Sequence, residues 1–147
     1  MKQRILIVRG LPGSGKSTFA ENTRLLNDVV VEADQFHMIN GEYCYHGELA
    51  SDAHNWCQSQ VPYFLNQGKS VFVANTFITN QSIIPYYEIA KRFEVDFEIR
   101  TCEGDFGSVH NVPQEVLDSM KSIFQDVSTE SFIKYYTESY DDTYFFE

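Results

Sequence analysis

Residues 4–18 read RILIVRGLPGSGKST, and this stretch decides the fold. Gly10, Gly15, Lys16 and Ser17 match the phosphate-loop pattern G-x-x-x-x-G-K-[ST]. The apolar run Ile5–Val8 before it predicts a buried parallel strand. Phe19, Ala20 and Thr23 after it suit the first turns of a helix. The motif therefore lies between a strand and a helix, the setting it requires. Its glycines let successive N–H groups turn toward one anion. The start of the helix adds the positive end of its dipole. In that geometry Lys16 reaches the β- and γ-phosphates of a nucleotide, and the Ser17 hydroxyl ligates Mg²⁺. Gly10, Pro12, Gly13, Ser14, Gly15, Lys16, Ser17 and Thr18 are the candidate nucleotide-binding residues. Thr18 reads equally as an α-phosphate contact and as a plain helix residue.

The rest of the composition agrees with one folded unit. The 147 residues are long enough to bury a core, and 43% are hydrophobic. Eleven Lys and Arg against 21 Asp and Glu give a net charge of −10, which argues against a broad electrostatic grip on nucleic acid. Arg9, Lys16 and Arg24 lie near the first helix and could form a local basic pocket. Cys44, Cys57 and Cys102 have no C-x-x-C spacing, so reduced thiols and a cytoplasmic location are expected. No apolar run reaches the ~18 residues of a membrane span, and no targeting segment is visible at Met1–Arg4.

Taken in order, the chain alternates strand and helix. A helix is predicted from Lys16 to Leu26, then a strand at Val29–Val31. Asp34 follows that strand, at the ligand edge of an open α/β sheet. It could serve there in chemistry or as a helix N-cap. A turn at Asn40–Glu42 and an aromatic loop at Tyr43–Gly47 precede a helix over Glu48–Asn66. The expected inner face of that helix is Leu49, Ala53, Trp56, Cys57, Gln60 and Phe64. His54 reads as a surface or packing residue, since no second ligand stands at metal spacing. Gly68 is the expected helix stop, and Ser70–Ala74 the third strand. Asn75 and Thr76 follow it, as substrate contacts or strand-end caps. A helix capped by Thr79 or Asn80 runs to Arg92, with a late start or a bend expected at Pro85. Glu94–Arg100 reads as a half-exposed strand. Pro113 is expected at the first position of a further helix bearing Val116, Leu117, Met120, Ile123 and Phe124. The expected architecture is three-layer α/β of the P-loop NTPase type, a mostly parallel central sheet flanked by helices.

In combination these residues resemble the P-loop 5′-hydroxyl polynucleotide kinase family, the kinase domain of phage and eukaryotic end-repair enzymes and its small P-loop relatives. The resemblance rests on GLPGSGKSTFA, Asp34, His54-Asn55-Trp56, Asn75-Thr76 and VPQEVLDSMKSIF from Val112. It implies a domain over residues 1–125 that transfers phosphate from ATP or another nucleoside triphosphate to a hydroxyl. The implied acceptor is a nucleic-acid 5′ end, with Asp34 as general base and Lys16 and Mg²⁺ neutralising phosphoryl charge. His37 stands where the family carries an arginine for the acceptor phosphate. Ala74 stands where an aspartate precedes Asn75-Thr76. The stretch 104–111, the family's lid, holds His110 but no arginine. Arg100, Lys121 or Arg9 could stand in, or a partner could supply one. A kinase for a small hydroxylated molecule and a nucleotide-binding protein with little turnover are the alternatives. Tyr43 and Tyr45 could stack on a base or pack beside Trp56. Residues 126–147 read as an acidic, aromatic tail, a short helix and then an extended end. It is expected to pack on the same domain or on a partner, either a second copy or another protein.

Overall fold

Apolar residues at every position of Ile5–Val8 can all be buried only if both faces of their strand are covered. A computed structural model, which describes residues 2–39, 42–43, 47–107 and 112–140, shows how this is done. Strand β1 (Arg4–Arg9) is followed by α1 (Lys16–Thr23), β2 (Val29–Val31), a 3₁₀ turn at Ala33–His37, and a small antiparallel pair, β3 (Met38–Ile39) with β4 (Glu42–Tyr43). A 3₁₀ turn at Gly47–Leu49 leads into α2 (Ala50–Leu65), and then come β5 (Val71–Ala74), α3 (Asn80–Phe93), β6 (Asp96–Thr101), α4 (Gln114–Ile123) and α5 (Thr129–Ser139).

The main sheet has four parallel strands in the order β2-β5-β1-β6, making the middle layer of a three-layer α/β fold. Ile5 and Ile7 of β1, with Val71 and Val73 of β5, point into a core built with α2, α3 and α5. Leu6, Val8, Phe72 and Ala74 point the other way, where Ala20 and Phe19 of α1 cover them. Strand β1 is central because both its neighbours pair with it in parallel, Ile5 with Val71 on one side and Phe97 on the other. No helix among the described residues is long and apolar enough to cross a membrane.

Several element boundaries differ from the sequence expectation. Helix α1 ends at Thr23, not Leu26, and Arg24 is extended (ψ 148°). The Asp28 carboxylate captures the Leu25 N–H at 2.8 Å, and Arg24 donates to the Asp28 carbonyl at 2.9 Å. Side-chain bonds of this kind compete with the helical ladder. The buried stripe of α2 is Ala53, Cys57, Val61 and Leu65, so the helix turns its small and aliphatic residues inward and leaves its aromatic ones at the margin or exposed. Gln60 and Phe64 sit at its margin, and Trp56 is half-buried, 6.1 Å from the Phe36 ring. Helix α3 starts at Asn80 without delay and runs through Pro85. The carbonyl that Pro85 leaves without a donor belongs to Gln81, which is exposed, so water can serve it. Thr79 caps this helix, its hydroxyl accepting the Ser82 N–H at 3.3 Å. Pro113 is the N-cap of α4 rather than its first residue, its carbonyl accepting from Val116 and Leu117.

Helix α4 has the predicted apolar spacing but buries none of its residues, with Val116 40% and Ile123 59% exposed. Helix α5 behaves differently. Phe132 and Tyr136 are fully in the core, their rings against Tyr87 at 5.4 and 4.9 Å. Residues 126–140 thus pack on this chain, while the rest of the tail lies outside the described residues, as do His110 and Tyr45.

Candidate active site

All four parallel strands end on the same edge of the sheet, and the phosphate loop leaves β1 there. Gly13 (φ 81°) and Gly15 (φ 93°) occupy the left-handed region, which reverses the chain around a concavity. Gly10 has no room for a side chain. A Cβ there would lie 2.2 Å from the Ser14 hydroxyl and 2.7 Å from the Cys102 carbonyl oxygen. Phe19 is the first residue of α1 to close a helical bond, on Gly15 at 2.9 Å. The amides of Lys16, Ser17 and Thr18 therefore have no acceptor within the helix. The Ser14 hydroxyl is buried beneath the loop and has no hydrogen-bond partner.

Lys16 folds back over the loop and donates to the carbonyls of Gly10 (2.9 Å) and Leu11 (3.0 Å). Burial draws its pKa below the usual lysine value, and Cys102, Asp34 and Glu32 pull it back up. Two carboxylates thus act on the Lys16 ammonium from the end of β2. Sequence reasoning singled out Asp34 and missed Glu32. The Ser17 hydroxyl donates a short hydrogen bond to the Glu32 carboxylate. The available signal was a second acid in the run Val31-Glu32-Ala33-Asp34, at the same strand end.

Asp34 is exposed, inside the 3₁₀ turn, and lines the cleft. It is not the turn's N-cap. Glu32 holds that place, and its N–H donates to the Gln35 side chain at 3.2 Å. The turn is tied to the sheet by Asn75, whose Oδ1 accepts the Ala33 N–H at 2.8 Å. The other end of that amide donates to the Cys57 sulfur at 3.6 Å. Asn75 is 9% exposed, so its amide is committed to the protein interior. Thr76 lines the cleft, and its carbonyl accepts the Gly10 N–H at 3.3 Å. His37 also lines it, though its ring is largely buried, edge-on to Phe36 at 5.7 Å.

The cleft has a volume of about 1010 Å³. Lys16, Ser17, Thr18, Glu32 and Asp34 share it with Phe106 and with Val116 and Met120 of α4. Exposed His54 of α2 reaches its rim. The basic pocket suggested by Arg9, Lys16 and Arg24 does not form. Arg9 is buried against the Phe77 and Gln125 carbonyls, and Arg24 pairs with Glu21 at 3.0 Å. Arg100 pairs with Glu98 at 3.0 Å. Among the described residues, Lys16 is the one Lys or Arg lining the cleft. No group of three or more His, Cys, Asp or Glu able to hold a metal occurs among them.

Known structures share this fold. A chain of the Pnkp1/Rnl/Hen1 complex superposes with a TM-score of 0.57 at 23% identity, over 87% of this chain and 42% of that one. A sugar kinase from Janibacter sp. HTCC2649 superposes with a TM-score of 0.59 at 16% identity, over 95% of both chains. These likenesses show the three-layer α/β P-loop fold. Human NEDD4-binding protein 2 is 29% identical over 91 residues, 60% of this chain and 5% of that protein, so the chain spans a small fraction of that relative. The AAA domain profile matches residues 5–106, from the first residues of β1 to the ring beside the phosphate loop, and the chain belongs to the AAA domain family.

Proposed function

We propose that this protein is a nucleoside-triphosphate-dependent kinase that phosphorylates a hydroxyl group. One observation carries the reading: the Asp34 carboxylate lines the same cleft as Lys16 and the unpaired amides of α1. A triphosphate seated on those amides draws the Lys16 ammonium off its two carbonyls and onto the β- and γ-oxygens. Asp34 takes the proton of the acceptor hydroxyl. The hydroxyl oxygen forms a bond to the γ-phosphorus as the bond to the β–γ bridging oxygen breaks, and the nucleoside diphosphate leaves. Arranged in line, this needs little of the protein beyond positioning and charge.

The Ser17 hydroxyl and the Glu32 carboxylate offer a small set of oxygen donors at the phosphate edge. Such a set fits Mg²⁺, which keeps most of its waters and relies on one or two carboxylates plus substrate phosphates. Bound there, Mg²⁺ supplies charge neutralisation across the phosphate oxygens. Glu32 orients the Ser17 hydroxyl for that role. The variant Glu32→Gln is expected to raise the Mg²⁺ concentration for half-maximal activity about 10- to 100-fold, the usual cost of losing a carboxylate that holds a metal ligand in place. A Mg²⁺ titration of turnover checks this, and an unshifted midpoint rules Glu32 out of the metal site.

By resemblance the acceptor is a polynucleotide 5′-hydroxyl. A second reading, a small uncharged hydroxylated acceptor, is favoured by the single cation in the described cleft lining and by the net charge of −10. A polynucleotide brings phosphates that a lone lysine, already engaged with the donor, leaves unmatched. Transfer of labelled γ-phosphate to 5′-hydroxyl DNA, RNA, nucleosides and simple polyols separates the two. A polynucleotide acceptor binds more weakly as salt rises, whereas a small neutral one gives a flat response. In either case Lys16→Ala is expected to lower turnover about 10²- to 10³-fold, the value of one preorganised charge on a transferring group. Undiminished transfer in that variant, or no transfer to any acceptor, sinks the kinase reading.

A further inference from the structure

Phe106 is a large apolar side chain with 80% of its surface exposed, yet the backbone beneath it is firmly held. Its own N–H donates to the Gly13 carbonyl at 2.8 Å. Two residues earlier, the Gly104 N–H donates to the Ser14 carbonyl at 3.2 Å, and the Cys102 N–H donates to Arg9 at 2.8 Å. The chain leaving β6 is thus laced to the outer side of the phosphate loop. The edge of the Phe106 ring rests on two glycines. A Cβ at Gly15 would come within 3.1 Å of the ring, and one at Gly104 within 2.2 Å. The ring stands beside the loop, open to the cleft that holds Lys16 and Thr18.

An exposed aromatic ring on a fixed backbone, next to a triphosphate cradle, has the properties of a stacking platform. We infer that Phe106 is the nucleobase platform of the donor site, the residue against which the base of the nucleoside triphosphate stacks. The inference rests on the kinase reading above and adds the part of the donor that the phosphate loop does not touch. A phenyl face has no hydrogen-bonding group, and every base has a π-face. Phe106 therefore selects a nucleotide over a bare polyphosphate without choosing between adenine and guanine. Glycine at positions 15 and 104 has a second use here, since a side chain at either would displace the ring.

Calorimetry with ATP, GTP and inorganic tripolyphosphate on the full chain tests this. Stacking of one base is worth a factor of about 5 to 150 in affinity. Phe106→Leu is expected to weaken ATP and GTP by a factor in that range and to leave tripolyphosphate unchanged. Phe106→Trp, which keeps an aromatic face, is expected to retain wild-type affinity for both nucleotides. Equal losses for nucleotide and tripolyphosphate in Phe106→Leu overturn the inference, because the ring would then only brace the loop. Unchanged ATP affinity overturns it as well. If the wild-type chain binds neither ATP nor tripolyphosphate, the kinase reading itself has failed.

Discussion

Asp34→Asn is expected to lower phosphoryl transfer about 10²- to 10⁴-fold, the usual contribution of a positioned general base. The substitution is nearly isosteric but removes the ability to take up a proton. Asp34 is exposed, on a turn whose geometry is set by other groups, namely the Glu32 cap and the Asn75 strut to Ala33. Nucleotide affinity should hold, since the loop amides and Lys16 carry it. The loss then falls on turnover and not on binding, the pattern of an interaction made in the transition state. Steady-state kinetics together with ATP calorimetry check this. If turnover survives in Asp34→Asn but collapses in Glu32→Gln, the two carboxylates have been given each other's roles.

The second large effect concerns Arg9, which is completely buried. Its guanidinium donates to the Phe77 carbonyl from Nε (3.0 Å) and Nη2 (2.8 Å), and from Nη2 to the Gln125 carbonyl (2.8 Å). The Phe124 ring lies 4.1 Å from its central carbon. Burial pushes its pKa down, with Asp126 opposing that shift, but an arginine stays charged. Phe77 is held at φ 47°, a conformation that costs a bulky residue about 1–3 kcal/mol and persists only where the surroundings enforce it. Arg9 is part of that enforcement, since it grips the Phe77 carbonyl while the Phe77 ring packs on Tyr86 at 5.4 Å. Arg9→Met keeps the aliphatic stem and removes every donor. It leaves the Phe77 and Gln125 carbonyls without their guanidinium partner, at about 1–3 kcal/mol each. The expected loss is about 3–5 kcal/mol, or roughly 10–15 °C in Tm for a chain of this length. Thermal unfolding measures it directly. A Tm within about 3 °C of wild type would show that water replaces the guanidinium and that the clamp is not structural. Because the clamp joins the end of β5 to the segment after α4, a fall in ATP affinity is also expected.

What was legible in the sequence is what neighbouring residues decide among themselves. The phosphate loop, Gly10 to Ser17, is eight residues long, and its glycines, its lysine and the helix that follows fix its shape locally. The apolar run Ile5–Val8 reads correctly as a buried parallel strand because both its faces are apolar, and Asp34, just past the end of β2, lines the cleft with Lys16. Only tertiary structure settled which way each charge faces. Arg9 and Lys16 are both basic residues of the same motif region, yet one is sealed against the Phe77 and Gln125 carbonyls while the other lies on the loop's own carbonyls. The alternation of β1 sends Arg9 toward Phe77 and Gln125, partners far along the chain. Folding sets Glu32 against Ser17, and the chain leaving β6 carries Phe106 onto Gly15. Local propensity follows from a residue and its neighbours. The partner of a side chain depends on strand order and register, which are set by burial summed over the whole sheet.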